Sequence, residues 1–261
     1  VNRLPLSWAT DIAILELTGS RIEHFADHLV MRTPHNPDHH WGNSLLVTHA
    51  HTIDDADRWA AYFTEVFPEA TWFAAGLPSM PRNTQAWSEQ GIALVGLDVL
   101  TTTTIPHGSP LAEGYTSRQL THGDWDQAVR RDIDENLRTR EYDPVFHERF
   151  VRESVAARRR LCEEGHAAWF GAFRGDALVA EVGIVRCGDL ARYQEVGTDE
   201  AHRRRGLASH LLGLAAQWSA DQGCETWVIV TESTNDAGRV YRQAGFAQTE
   251  SQVNAYKRPV T

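Results

Sequence analysis

Glu195-Val-Gly-Thr-Asp-Glu-Ala-His-Arg-Arg-Arg-Gly-Leu-Ala-Ser209 decides how the rest of the chain is read. Just before and into it, Leu190-Ala-Arg-Tyr-Gln-Glu-Val-Gly197 reads as a strand. The residues after it, Leu207–Asp221, carry Leu207, Leu211, Leu212, Leu214, Ala215 and Trp218 at helical spacing. The stretch is therefore a strand, a basic turn and the opening of a helix. The first N–H groups of a helix have no intrahelical partner and carry partial positive charge. Gly206 lets a ligand approach the backbone, and Ala208 is the next smallest choice. Arg203, Arg204 and Arg205 add three cations. Together these parts suit a diphosphate.

Two pieces follow downstream. Thr226-Trp-Val-Ile-Val-Thr231 reads as a strand, and Asn235-Asp-Ala-Gly-Arg-Val-Tyr-Arg-Gln-Ala-Gly-Phe246 as a short helix ended by glycine. In this order, Arg203-x-x-Gly206-x-Ala208 and Tyr241-x-x-x-Gly245-Phe246 resemble the acyl-CoA loop and the tyrosine helix of the GNAT N-acetyltransferase superfamily. The resemblance covers residues 115 to 261 well and the earlier part weakly.

The resemblance implies an α/β GNAT fold, a mixed and mostly antiparallel sheet flanked by helices. It implies acetyl-CoA as cosubstrate, with its diphosphate on Arg203, Arg204, Arg205, Gly206, Leu207, Ala208 and Ser209. Val196 and Thr198 would meet the pantetheine arm through backbone groups, with a bulge in that strand, for which Gly197 is suited. The oxyanion donor would be the N–H of Val196 or its neighbour. Asn235 would cap the last helix or touch CoA, and capping is the reading favoured, because it sits one residue later than the family's asparagine. Tyr241 would give a proton to the leaving thiolate. Glu195 or Gln194 would face the acceptor, since strand alternation puts them on opposite faces. Glu195 is the candidate base, with Glu181 as a weaker alternative and water as a third.

Composition makes a folded, cytosolic soluble protein the default expectation. The chain has 261 residues, 42% of them hydrophobic and 23% charged, enough for one large domain or two ordinary ones. A net charge of −10 argues against sequence-independent nucleic-acid binding. The three cysteines, Cys162, Cys187 and Cys224, have neither metal nor disulfide spacing, which fits a reducing cytoplasm. No apolar run approaches the ~20 residues of a membrane span. The opening Val1-Asn-Arg-Leu-Pro lacks a signal pattern. His35, His39 and His40 lie in a proline-broken loop without a Glu or Cys at ligand spacing, so a solvated loop is expected. The arginines between 149 and 160 read as a wet helix face.

The order strand, helix, strand, short helix, strand occurs twice, around residues 41–103 and 190–257. Trp87 falls where Tyr241 does and Gly91 where Gly245 does. Asp54-Asp-Ala-Asp-Arg58 stands where the second copy has its arginines, and carboxylates repel a diphosphate. The expectation is a tandem chain: a degenerate GNAT-like half over 1–105, a linker over 106–114, and an acetyl-CoA-binding half over 115–261. In the second half, helices are expected over 124–136 and 143–163, then a hairpin over 167–187. The expected reaction is transfer to a primary amine, a small molecule or a peptide, by direct attack in a ternary complex. A non-catalytic CoA-binding module, a longer acyl group and a homodimer stay open at this point.

Overall fold

A computed structural model describes residues 4–259; Val1, Asn2 and Arg3, part of the opening read above for a signal pattern, lie outside the described residues. The elements of the first half are α1 (Leu6–Leu17), β1 (Arg21–His24), β2 (His28–Arg32), β3 (Ser44–Val47), α2 (Ala56–Val66), β4 (Phe73–Leu77), α3 (Thr84–Glu89) and β5 (Ala93–Thr102). Those of the second half are β6 (Thr116–Gln119), α4 (Trp125–Thr139), α5 (Pro144–Glu163), β7 (Ala167–Arg174), β8 (Ala177–Cys187), β9 (Leu190–Thr198), α6 (Leu207–Asp221), β10 (Thr226–Glu232), α7 (Ala237–Gln243) and β11 (Ala247–Lys257).

The chain forms two compact units that do not coincide with its sequence halves. One comprises residues 1–99, 230–238 and 248–261; the other comprises 100–229 and 239–247. The division drawn from the sequence at 105 and 115 thus differs from the packing at the C-terminus. β11, the last strand of the chain's described residues, belongs to the sheet of the first unit, pairing antiparallel with β4 from Val253↔Leu77 to Lys257↔Phe73. The reason is hydrophobic burial: Val253 and Ala255 complete a core with Trp59, Phe63, Phe73 and Trp87.

The first unit has the strand order β1-β2-β3-β4-β11-β5. Its β3 and β4 run parallel, joined through α2. At the start of α2 the Asp55 carboxylate accepts the Arg58 N–H at 3.0 Å, and Asp54 accepts the N–H groups of Arg82 and Asn83 at 2.6 and 3.2 Å. One of the amides that open α2, that of Arg58, therefore already faces a fixed carboxylate. Trp87 is fully buried and donates its indole N–H to the Ile53 carbonyl at 2.9 Å.

The second unit has the order β10-β9-β8-β7-β6. β6 to β9 are antiparallel neighbours, and β9 and β10 are parallel, joined through α6. α6 buries Leu207, Leu211, Leu212, Ala215 and Ala216 against β7, β8 and β9. Each fully buried leucine contributes about 2 kcal/mol of hydrophobic stabilisation. α4 and α5 pack on each other, α4 also on β8 and α5 on β7. Asp143 caps α5 by accepting the N–H groups of Val145 and Phe146, and Pro144 occupies its first turn, where no N–H is needed.

Candidate active site

β9 shapes the site from both of its edges. On the β10 side its pairing is confined to Leu190↔Thr226, Ala191↔Trp227 and Arg192↔Val228. From Tyr193 to Thr198 the strand runs on without that neighbour, an edge of the kind an extended ligand can pair with. On the β8 side Gln194 faces Gly183 and Gly197 faces Glu181, which leaves Glu195 and Val196 opposite the single residue Val182. That is a β-bulge. The sequence placed it at Gly197; it lies at Glu195, whose φ is +50°. A side chain in this left-handed region costs about 1 kcal/mol. The Arg158 guanidinium, 2.6 Å from the Glu195 carboxylate, offsets that cost.

Beyond Thr198 comes a single turn of 3-10 helix, Glu200–His202, and then the arginines. Arg203 donates from Nε to the Thr198 carbonyl at 3.0 Å and lies 3.7 Å from Glu135. Arg204 has φ +60° and Gly206 φ +74°. Two left-handed residues so close together turn the chain sharply into α6. No side chain caps that helix, so its first amides stay available for an anion. Arg204 and Arg205 are exposed, and among the described residues neither has an ion-pair partner. The Leu207 side chain is 2% exposed, so only its N–H can serve a ligand. Ala208 is half-buried. The Ser209 hydroxyl accepts the Ser109 N–H at 3.1 Å and shares a 2.9 Å hydrogen bond with the Ser109 hydroxyl. The linker thus reaches the loop, which sequence reading did not foresee.

Tyr241 is 5% exposed, and among the described residues its hydroxyl has no hydrogen-bond partner. Burial pushes its pKa up to about 12, so the phenol is a neutral donor at any working pH. Its carbonyl accepts the N–H groups of Ala244 and Phe246 at 3.0 and 3.2 Å. Phe246 packs edge-on against Tyr193 of β9, with centroids 5.8 Å apart. The Tyr193 hydroxyl donates to the Leu212 carbonyl of α6 at 2.8 Å. This chain of contacts fixes the end of α7 against β9 and α6. Asn235 falls in the other compact unit; its Oδ1 accepts the Ala237 N–H at 2.9 Å, the capping role favoured above.

A cluster of charges that the sequence reading did not assemble lies between the bulge and α4 and α5. Arg158, expected on a wet face, has a side chain only 14% exposed; it pairs with Glu195, lies 3.7 Å from Asp132 and sits over the Trp169 ring at 5.9 Å. Arg131 donates to Glu181 at 2.6 Å and pairs with Asp199 at 2.8 Å. Burial raises the Asp132 pKa, against the opposing pull of Arg158. Glu181 is 4% exposed and, among the described residues, its Oε2 has no hydrogen-bond partner. Burial pushes its pKa up to about 7, with Arg131 opposing and Asp132 adding to the rise. The signal that could have found this cluster was the i, i+1 pair Arg131-Asp132 on one expected helix and Arg158 on the next.

The three histidines singled out above do not share one fate. His40 stacks on Trp72 with centroids 4.4 Å apart, and burial, helped by Arg258, lowers its pKa to about 4. The expectation of a solvated loop is therefore overturned at His40. No group of three or more His, Cys, Asp or Glu that could hold a metal ion occurs among the described residues. No described helix is long and apolar enough to cross a membrane.

Comparison with known proteins places this geometry. Residues 133–246 match the model of the acetyltransferase (GNAT) family. None of the curated proteins matches the sequence. Among solved structures, a functionally unknown conserved protein from Staphylococcus epidermidis is similar with a TM-score of 0.68 at 10% identity, over 93% of this chain and 96% of that one. A GCN5-related N-acetyltransferase from Kribbella flavida gives 0.62 at 14% identity, over 95% of each chain. A tandem GNAT protein from the clavulanic acid biosynthesis pathway gives 0.52 at 15% identity, over 83% of this chain and 74% of that one. At such identities the likeness is one of fold, the mixed α/β GNAT architecture.

Proposed function

We propose, from the match of residues 133–246 to the model of the acetyltransferase (GNAT) family, that this chain acetylates a primary amine from acetyl-CoA by direct attack in a ternary complex. The observation that carries the proposal is β9 itself. It runs on unpaired beyond Arg192 on its β10 edge and leads into an uncapped helix start.

In this reading the amides of residues 206–209 and the guanidinium groups of Arg204 and Arg205 hold the diphosphate. Arg203 braces the turn through Thr198, and the backbone of Val196, Gly197 and Thr198 lines the pantetheine arm. The Val196 N–H, next to the bulge, supports the oxyanion that forms as the amine adds to the thioester carbonyl. Tyr241, kept neutral by burial, gives its proton to the sulfur as the C–S bond breaks. A carboxylate beside the bulge takes the proton that the acceptor brings as an ammonium ion; Glu195 is the one that the sequence nominates. Asn235 serves by capping the last helix. The acceptor is a small molecule or an exposed peptide amine.

The N-terminal half, residues 1–105, fits a GNAT-like copy without a coenzyme site. It has the same order of elements, but an amide at the start of α2 is already taken by Asp55. Residues 106–114 are the linker, and 115–261 descend from the competent copy, with β11 exchanged into the first unit.

The test is free-thiol release from acetyl-CoA in the presence of a panel of primary amines. Amine-dependent release with one acetyl product per thiol supports the proposal. Tight binding of acetyl-CoA with no release for any amine would point instead to a binding module.

A further inference from the structure

The charges beside the bulge divide into two arrangements. Glu195 is committed: Arg158 holds one carboxylate oxygen at 2.6 Å, and that contact keeps the strand in its left-handed turn. Glu181 is half committed. Its Oε1 takes a hydrogen bond from Arg131 at 2.6 Å, while its Oε2 is buried with no partner among the described residues. A buried carboxylate oxygen left without a donor costs on the order of 1–3 kcal/mol. Such a cost persists where a donor arrives from outside, and that makes the atom a candidate functional group.

The strand register shows how a donor would arrive. Glu181 and Gly197 are directly paired, so their side-chain positions share one face of the sheet. At Gly197 an added Cβ would meet a single neighbour within 4 Å, the Arg131 guanidinium at 3.9 Å. Opposite Glu181 the strand β9 thus carries no side chain, and the Arg131 guanidinium is the nearest neighbour of the position a Cβ would take. The charged groups facing Glu181 are Arg131 and Asp132 from α4, Arg158 from α5 and Glu195 from β9, with Asp199, just past β9, held by Arg131. Two guanidinium groups stand among four carboxylates, an excess of negative charge that an ammonium ion would balance.

We infer that Glu181, rather than Glu195, receives the ammonium group of the acceptor on its Oε2 and takes its proton, and that Arg131 is the positioning residue that aims it. The inference rests on the acetyl-transfer reading above. The carboxylate removes one proton from R–NH3+. The neutral amine forms the C–N bond at the thioester carbonyl. The C–S bond breaks, the sulfur takes the Tyr241 proton, and the resulting phenolate recovers a proton from the new amide nitrogen. Glu181 then releases its proton to water. Burial helps this transfer: raising the carboxyl from 4.5 to about 7 narrows the gap to an ordinary ammonium ion by two to three orders of magnitude. The acceptor therefore enters as a charged ammonium ion.

The experiment follows thiol release from acetyl-CoA with spermidine, tyramine, lysine methyl ester and an alanyl peptide as amines, between pH 5.5 and 9. Wild type, E181Q, E181D and E195Q are compared, and acetyl-CoA affinity is measured by calorimetry for each. The expected result is a wild-type kcat/KM that rises through pH ~7, and an E181Q variant slower by roughly a hundredfold to ten-thousandfold that lacks this inflection. E181D should retain a displaced inflection and an intermediate rate. E195Q should lose less than about tenfold, and acetyl-CoA affinity should stay within about twofold throughout. A merely structural role for the Glu181–Arg131 pair would lower stability without removing the inflection. E181Q within about threefold of wild type, or with the inflection intact, overturns the assignment and leaves the transferase reading standing. Should E181Q fail to fold, an unchanged inflection in E181D overturns it equally. Acetyl-CoA binding without thiol release for any amine overturns both.

Discussion

The Arg158 guanidinium reaches the Glu195 carboxylate at 2.6 Å across from α5 to the bulge of β9. This contact joins the helix pair on one face of the sheet to the strand that carries the coenzyme in our account. Replacing Arg158 with methionine removes it and takes from Asp132 the guanidinium 3.7 Å away. Because Glu195 is partly solvated, the loss should be ~2 kcal/mol, below the 3–5 kcal/mol of a fully buried pair. Urea unfolding measures it, and acetyl transfer should fall more than acetyl-CoA affinity does.

Gly206 stands at φ +74°, with Ser109 3.6 Å from the position a Cβ would occupy. Gly206→Val would strain the turn by ~1–2 kcal/mol and cover the amides that face the diphosphate. The expected outcome is a rise of more than about tenfold in the acetyl-CoA KM at saturating amine. An acceptor KM that rises equally would place the loop elsewhere in the mechanism.

Tyr241→Phe removes a hydroxyl and nothing else from a buried ring. Turnover should fall by roughly a hundredfold, with the acetyl-CoA dissociation constant unchanged. Since the phenol is pushed up to about 12, the wild-type enzyme should show no alkaline loss of kcat from this group below pH ~11. An unaltered kcat in the phenylalanine variant removes the acid role.

Much of this was legible from pattern alone, because the signals were local. The 3.6-residue period of α6 gave its bounds, and Arg203-x-x-Gly206 marked its start. The Tyr241-x-x-x-Gly245-Phe246 helix was equally plain. Arg158 was misjudged because a run of arginines looks the same whether one member is solvated or turned onto a sheet; only the tertiary fold turns it toward Trp169 and Glu195. The bulge was placed at Gly197 on conformational preference. An ion pair instead holds Glu195 in the left-handed region and frees Gly197 to make room beside Glu181. The exchange of β11 was invisible for a similar reason. Its Val253 and Ala255 suit either sheet, and strand partners are chosen by long-range packing.

His40 offers a test of the first unit. Its pKa is lowered to about 4 from 6.5, chiefly by burial. A base whose folded pKa is depressed contributes stability in full above the unfolded pKa, and that contribution is lost as pH falls from 6.5 toward 4. Glu181 has the opposite sense: an acid raised from 4.5 to about 7 favours the folded state below pH 4.5 and loses that advantage as pH rises through 7. His40→Gln should therefore flatten the acid side of the melting profile, by several degrees between pH 6.5 and 4. E181Q should flatten the side between pH 4.5 and 7. Differential scanning calorimetry of the two variants separates the effects.

Titration of acetyl-CoA into the protein by calorimetry tests the claim on which all else depends, that the uncapped start of α6 and its guanidinium groups grip the coenzyme diphosphate. The account expects a single site, weakened roughly thirtyfold in R204A/R205A, from ~1 kcal/mol for each exposed charge-assisted contact, and weakened by rising salt. Absence of heat and of any thermal shift in the wild type, or an affinity indifferent to both arginines and to salt, would contradict it.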